Sequence, residues 1–235
     1  MPDPFSAHPP TRDMLLASLQ RIAFLRGLEP VTLRELADSV IWRVYTPGAM
    51  IFLEGEAAFA LYYIYVGWLK VIKSSVEGRE QILRFAGPGE ILNELGVFSQ
   101  RPTPATAIAL EPVGLWLIPR EALQRLLTTH PAVALGAIEN LTERIFYLLS
   151  LITDFSLHTV ETRLARLLLE QAENDVMPRP SWATQTELAA RLGTVPDVLS
   201  RLLRKLVETH VIELNRAHIR ILDRQALAAL AQIEE

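Results

Sequence analysis

Apolar positions along this chain change their period twice, and each change marks a boundary between elements. Leu19, Ile22, Leu25 and Leu28, then Leu33, Leu36 and Val40, recur at helical spacing with a break at Glu29-Pro30. That spacing predicts helix over 18–39, interrupted at the proline. From Ile41 to Ile118 the apolar runs become short or alternating, punctuated by Gly48, Gly55, Gly67, Gly78, Gly87, Gly89, Gly96 and Gly114. Short strands with turn signals between them predict an antiparallel roll or sandwich. The clearest hairpin is AFALYYIYVGWLKVIKSS, from Ala58 to Ser75, turning at Gly67.

After Pro131 helical spacing returns in a stricter form. Ala134, Ile138, Leu141, Ile145, Leu148, Ile152 and Phe155 are separated by 4, 3, 4, 3, 4 and 3 residues. A helix lying on its own core shows a looser period of about 3.6, whereas a sustained heptad is what a two-stranded coiled coil requires. The reading is a parallel homodimer joined through this helix, with Ile138, Leu141, Ile145, Leu148, Ile152 and Phe155 at the interface. A hinge is expected near Ser156 to Thr159, then a helix in VETRLARLLLEQAE and a loop in NDVMPRPSW.

TELAARLGTVPDVLSRLLRKL, Thr186 to Leu206, keeps helical spacing throughout yet carries Gly193 and Pro196. Thr184 and Glu187 stand at capping-box spacing and start a helix. Gly193 suits the left-handed turn that would end it, and Pro196 is favoured in the first turn of another. The second helix runs to about His210, with Val198, Leu199, Leu202, Leu203 and Leu206 inward. Two short helices joined in this way form the motif whose second helix enters the DNA major groove. VIELNRAHIRILD, Val211 to Asp223, adds two short strands that read as a wing, with Arg216, His218 and Arg220 in reach of phosphates.

Composition narrows the function. A chain of 235 residues, 50% hydrophobic, has the material for two domains and a sizeable core. The expected division is a flexible tail over 1–17, a β-roll over 18–131, a dimerisation helix over 132–157 and a winged helix-turn-helix over 158–235. MPDPFSAHPP lacks the apolar core of a signal peptide, and IFYLLSLI, the longest apolar stretch, is far short of a membrane span. A soluble, cytoplasmic protein without a membrane partner is expected. The absence of cysteine excludes disulfides, thiolate catalysis and a cysteine-ligated iron–sulfur cluster. The net charge is -4, but Arg191, Arg201, Arg204 and Lys205 face only Asp197 between residues 191 and 205. A local positive face on a mildly acidic chain fits specific binding of double-stranded DNA. The candidate contacts are Thr184, Thr194, Asp197, Ser200, Arg201, Arg204, Lys205, Arg216 and His218. No enzyme is expected: the roll lacks the histidines of a metal site, and no hydrolase elbow or phosphate loop occurs.

PGAMIFLEGEAAFALYYIYVGWLKV, PGEILNELGVF, HTVETRLARLLLE and the helix-turn-helix stretch follow one another in an order that resembles the CRP/FNR family of bacterial transcription regulators. The resemblance covers nearly the whole chain. It implies an α+β protein: an N-terminal antiparallel β-roll, a long dimerisation helix and a C-terminal winged helix-turn-helix. It further implies an effector bound in the roll, double-stranded DNA as partner, and RNA polymerase as a second partner where the regulator activates. Carried onto this chain, the effector pocket comprises Asn93, Glu94, Arg101, Thr103, Leu148 and Leu149. Cyclic AMP binders of the family have glycine where Asn93 stands and arginine in the place of Thr103-Pro104. A buried phosphate without a matching cation is costly, so cyclic AMP is not expected. No histidine lies between His8 and His130, which leaves a haem only Met50, tyrosines or the partner's N-terminus as axial ligands. Haem is the lesser alternative, and no cofactor is assigned. Asp197, Ser200 and Arg201 stand where the FNR branch has glutamate, serine and arginine, with Asp197 one methylene shorter, implying a palindromic TTGA-like site with Arg201 on a guanine. The alternative is a cyclic-nucleotide-like or haem-binding sensory module that acts mainly through a protein partner.

Overall fold

The computed structural model describes residues 9–78, 80–99 and 101–232. They gather into two compact units, one running to Ser74 and including Leu83–Tyr147, the other comprising Ser75–Ile82 and the chain from Leu148 onward.

The first unit opens with α1 (Arg12–Arg21). Thr11 caps it, its hydroxyl accepting from the Met14 N–H at 3.4 Å, and Leu15 and Leu19 are buried one turn apart. The tail expected over 1–17 is therefore too long. A capping residue and two leucines at helical spacing are enough to order the chain from Arg12; residues 1–8 lie outside the described set. A 3-10 turn (Ala23–Leu25) leads to α2 (Pro30–Asp38), with Pro30 in its first turn.

The roll follows: β1 (Ile41–Tyr45), β2 (Met50–Phe52), β3 (Ala60–Val66), β4 (Leu69–Ser74), β5 (Glu80–Ala86), β6 (Ile91–Leu92), the short α3 (Glu94–Ser99), β7 (Thr106–Ala109) and β8 (Val113–Pro119). Two four-stranded sheets result, ordered β1-β8-β3-β6 and β2-β7-β4-β5. The recorded strand pairings are antiparallel, with Tyr62 of β3 between Leu117 and Leu92. Ile64, Leu69, Val113 and Leu115 are fully buried. Gly67 makes the predicted hairpin turn at φ +87°, where a Cβ would lie 2.3 Å from the Pro112 carbonyl oxygen. Only glycine fits so tight a left-handed turn.

Helix α4 (Arg120–Thr129) precedes α5 (Pro131–Leu157), the predicted long helix. It is not a module of its own: residues to Tyr147 group with the first unit, and those from Leu148 with the second. Ile138, Ile145 and Ile152 are exposed, at 58%, 56% and 61%. Leu141, Leu148 and Phe155 are half-buried instead. The exposed row runs Leu135, Ile138, Thr142, Ile145, Leu149, Ile152 and Ser156. It keeps the heptad but takes Leu149 in place of Leu148. Two registers share the isoleucines, and apolar spacing alone cannot choose between them when both flanks are leucine-rich.

In the second unit α6 (Val160–Gln171) starts at Thr159, whose hydroxyl accepts from the Thr162 N–H at 3.2 Å. The expected hinge over Ser156 to Thr159 is tied: Arg163 donates to the carbonyls of Asp154 and His158 at 3.2 and 3.1 Å, and Arg166 pairs with Asp154 at 2.8 Å. Then come β9 (Val176–Pro178), α7 (Gln185–Arg191), α8 (Pro196–Glu208), β10 (Ile212–Leu214), β11 (His218–Ile221) and α9 (Arg224–Ala231). The stretch expected to be loop, NDVMPRPSW, supplies β9, which adds to the wing in the order β10-β11-β9. Met177 is buried opposite Ile219; a three-residue strand is too short to show alternation. Leu164, Leu168, Leu188, Leu199, Leu203, Leu206 and Leu227 form the core.

Candidate nucleic-acid interface and ligand cavity

The turn between α7 and α8 is built by the residues that announced it. Thr184 caps α7, its hydroxyl accepting from the Glu187 N–H at 3.2 Å. Gly193 has φ +64°. The Thr194 N–H donates to the Ala189 carbonyl at 2.9 Å and the Gly193 N–H to Ala190 at 3.3 Å, the paired bonds of a Schellman stop. A Cβ on Gly193 would sit 2.9 Å from the Phe155 ring. Pro196 then opens α8, and the N-cap residue Val195 makes no side-chain capping bond.

Leu199, Leu203 and Leu206 fix α8 on the core, which turns the other side of the helix to solvent. Asp197, Arg201, Arg204 and Lys205 are exposed. Among the described residues nothing bonds the guanidinium of Arg201 or Arg204. Lys205 pairs with Glu161 of α6 at 2.8 Å. Half-buried Ser200 donates to the Gln185 side-chain oxygen at 2.9 Å, a partner sequence reading missed. In the wing, Asn215 Oδ1 accepts from the N–H groups of Ala217 and His218 at 2.9 and 2.8 Å, and its amide meets His218 Nε2 at 2.9 Å. Arg216 stands exposed at the tip, and Arg220 lies 3.9 Å from Glu213. Thr184 and Thr194 serve the turn, one through its hydroxyl and the other through its N–H.

In the first unit, Asn93 adopts φ 70°, a left-handed conformation that asparagine tolerates better than most residues. Its amide nitrogen donates to the Ala60 carbonyl at 3.1 Å, and its Oδ1 is buried without a hydrogen bond. Glu94 follows, buried, 3.7 Å from Arg144 of α5. Beside it opens a cavity of about 360 Å³, whose lining includes Arg84, Glu90, Glu94, Asn140, Arg144 and Tyr147. Arg84 pairs with Glu90 at 2.6 Å and donates to the Ile91 carbonyl at 2.8 Å. The Tyr147 hydroxyl donates to the Leu83 carbonyl at 2.8 Å, and the Arg144 guanidinium lies 4.9 Å from the Tyr147 ring centre. Burial, reinforced by the charge on Arg84, lowers the Arg144 pKa.

A cyclic nucleotide-binding domain model matches residues 42–130, and a Crp-like helix-turn-helix domain model matches residues 162–230. The chain belongs to the CRP/FNR family of transcription regulators. It is similar to the CRP-like cAMP-activated global transcriptional regulator of Mycobacterium tuberculosis, 25% identical over 91% of this chain and 98% of that one. The cyclic AMP receptor protein of Thermus thermophilus is 28% identical over 80% of this chain and 87% of its own. Among solved structures, FixK2 from Bradyrhizobium japonicum superimposes with a TM-score of 0.74 at 22% identity, covering 83% of this chain and 99% of that one.

The effector residues carried over from the family to this CRP/FNR chain take different environments. Of the six, Glu94 alone lines the cavity. Asn93 is buried and Arg101 is exposed. Thr103 is buried, its N–H donating to Glu56 at 2.8 Å and its carbonyl accepting from Gly55 at 2.9 Å. Leu148 is half-buried, and Leu149 stands in the exposed row of α5. Sequence reading missed Arg84, Glu90, Asn140, Arg144 and Tyr147. A signal existed: Asn140, Arg144 and Tyr147 are spaced 4 and 3 apart, a polar stripe on the helix read only for its apolar one. Among the described residues no group of three acidic or histidine side chains could hold a metal ion, and no helix is long and apolar enough to cross a membrane.

Proposed function

We propose that this CRP/FNR regulator binds a palindromic TTGA-like site as a homodimer through α5, and that its roll answers to a ligand other than cyclic AMP. The observation that carries the DNA reading is the outward side of α8, where two guanidiniums unpaired among the described residues, Arg201 and Arg204, stand beside Asp197 and Ser200. Arg201 pairs bidentately with guanine O6 and N7, and Asp197 accepts from cytosine N4. The exposed row of Ile138, Ile145, Leu149 and Ile152 is the seam that a second copy covers. Two-fold symmetry then sets the reading helices about 34 Å apart, one turn of DNA.

The two curated relatives named above carry cyclic AMP in their names. This chain departs from that chemistry at the turn itself. The Asn93 side chain fills the place of a glycine and its amide is held by Ala60, while Thr103-Pro104 offers no cation. Haem stays the lesser alternative: of the residues named for it, Met50 is exposed at 57% and burial pushes the Tyr62 phenol up to about 12.

Fluorescence anisotropy of a TTGA-type palindrome, titrated with the protein alone and with cyclic AMP, tests both parts. Salt-sensitive binding that cyclic AMP leaves unchanged and Arg201→Glu abolishes, with the dimer intact, is the expected result. Binding only with cyclic AMP would overturn the ligand reading. Unchanged binding by Arg201→Glu would overturn the DNA reading.

A further inference from the structure

We propose that Gln185, on α7, is a specificity-determining residue of the DNA interface: it takes the Ser200 hydroxyl proton, so that Ser200 meets a base edge as an acceptor and selects adenine or cytosine. The inference deepens the DNA reading given above and rests on it.

Ser200 does not do what a hydroxyl inside a helix ordinarily does. Ser18 and Thr142 donate to the carbonyl four residues earlier, at 2.8 and 2.9 Å, the usual local resort of such a group. The Ser200 hydroxyl donates instead to Gln185 Oε1 at 2.9 Å, fifteen residues back on the exposed first residue of α7. The stop at Gly193 folds α8 back on α7 and brings the two positions together. A carboxamide oxygen only accepts, so the proton in this bond is the serine's.

A bond between two side chains at a wet surface adds little to stability and costs the rotamer freedom of a glutamine. What it fixes is hydrogen-bond polarity. A free serine hydroxyl has one donor and two acceptor sites and so tolerates any base. With the proton committed to Gln185, Ser200 keeps its lone pairs alone. It then pairs with the amino group of adenine N6 or cytosine N4, and meets thymine O4 or guanine O6 lone pair to lone pair. Ser200 lies three residues after Asp197 and directly before Arg201, both exposed, so this acceptor belongs to the outward side of α8. A residue outside the reading helix thereby sets what one residue of that helix reads.

Anisotropy with the full chain, on palindromes in which each half-site position in turn carries each of the four base pairs, tests the assignment. The parent should show one position at which adenine or cytosine on one strand is preferred over thymine or guanine by about tenfold, and Ser200→Ala should abolish that preference. Gln185→Leu returns the proton to Ser200 and should flatten the preference to within about twofold. Gln185→Glu keeps an acceptor for the hydroxyl and should keep the preference, while its added negative charge lowers affinity for every sequence alike. Thermal melts by circular dichroism accompany the titrations: a bond that only joined α7 to α8 would lower the Tm of Gln185→Leu and leave the base profile untouched. A parent profile retained by Ser200→Ala or by Gln185→Leu, or a Ser200-dependent preference for thymine or guanine, overturns the assignment. A parent that binds through Arg201 yet has no Ser200-dependent position loses this proposal alone. One that binds none of the palindromes, or binds as well with Arg201→Glu, loses the DNA reading and this proposal with it.

Discussion

At position 93 an asparagine makes the left-handed turn that leads into α3. Glycine would leave the backbone open to a ligand; asparagine holds the same left-handed φ but puts its amide on the Ala60 carbonyl. That substitution was legible in the sequence, because residue type alone carries it. The surroundings of Arg144 were not, because packing alone sets Glu94 at 3.7 Å and the Tyr147 ring beside it. Tyr62 shows the same limit. Burial raises its phenol from the ordinary 10.0 to about 12, with the charges of Tyr45 and Glu56 adding to the effect. The folded state therefore holds the proton more tightly than the unfolded chain. The stabilisation is fully present below pH 10.0 and is lost as pH rises through about 12. Thermal melts from pH 8 upward should show Tyr62→Phe losing less stability than the parent across that window. Equal losses would mean that another group titrates there.

Elements were legible where their signals are local. The stop at Gly193 and the start at Pro196 fix the helix-turn-helix, because caps and turns depend on one or two residues. β9 was missed because its strand character comes from pairing with β11, far along the chain. For α5 the heptad predicted the helix and its exposed isoleucines, while the choice between Leu148 and Leu149 depended on which of the two packing leaves exposed. Covering that row with a second copy makes a definite prediction. Ile145→Glu places a charge at the centre of the seam, and a desolvated unpaired charge costs several kcal/mol, so the dimer should weaken by roughly a thousandfold. Sedimentation should then report a monomer and palindrome binding should fall with it, while the circular dichroism spectrum stays that of a folded chain. A dimer that survives would place the interface elsewhere.

For the whole molecule, charge distribution matters more than its sum. The chain is acidic, at -4, yet the outward side of α8 and the tip of the wing are basic. Non-specific attraction to DNA is then weak, and binding depends on a few cations in register. With Arg204 and Arg216 on phosphates in each copy, a dimer neutralises about four, and log K should fall with log salt at a slope of about -4. Replacing either arginine by alanine should remove about 2 from that slope, since both copies lose it. Lys205→Ala should change it less, because the ammonium is already held by Glu161 at 2.8 Å. Equal changes for all three would mean that the Lys205 pair opens on the DNA. This balance was visible in the sequence as a local excess of arginine, but the engagement of Lys205 needed α6 in place beside it.

The stop at Gly193 separates the reading device from what it reads. The angle between α7 and α8 is held by backbone bonds at residues 189, 190, 193 and 194 and by buried leucines, none of which faces outward. Asp197 and Arg201 are free of that duty, whereas Ser200 ties α8 to Gln185 of α7 at 2.9 Å. The outward alphabet can therefore be rewritten residue by residue, and a descendant of this chain could move to a new operator without relearning how to fold.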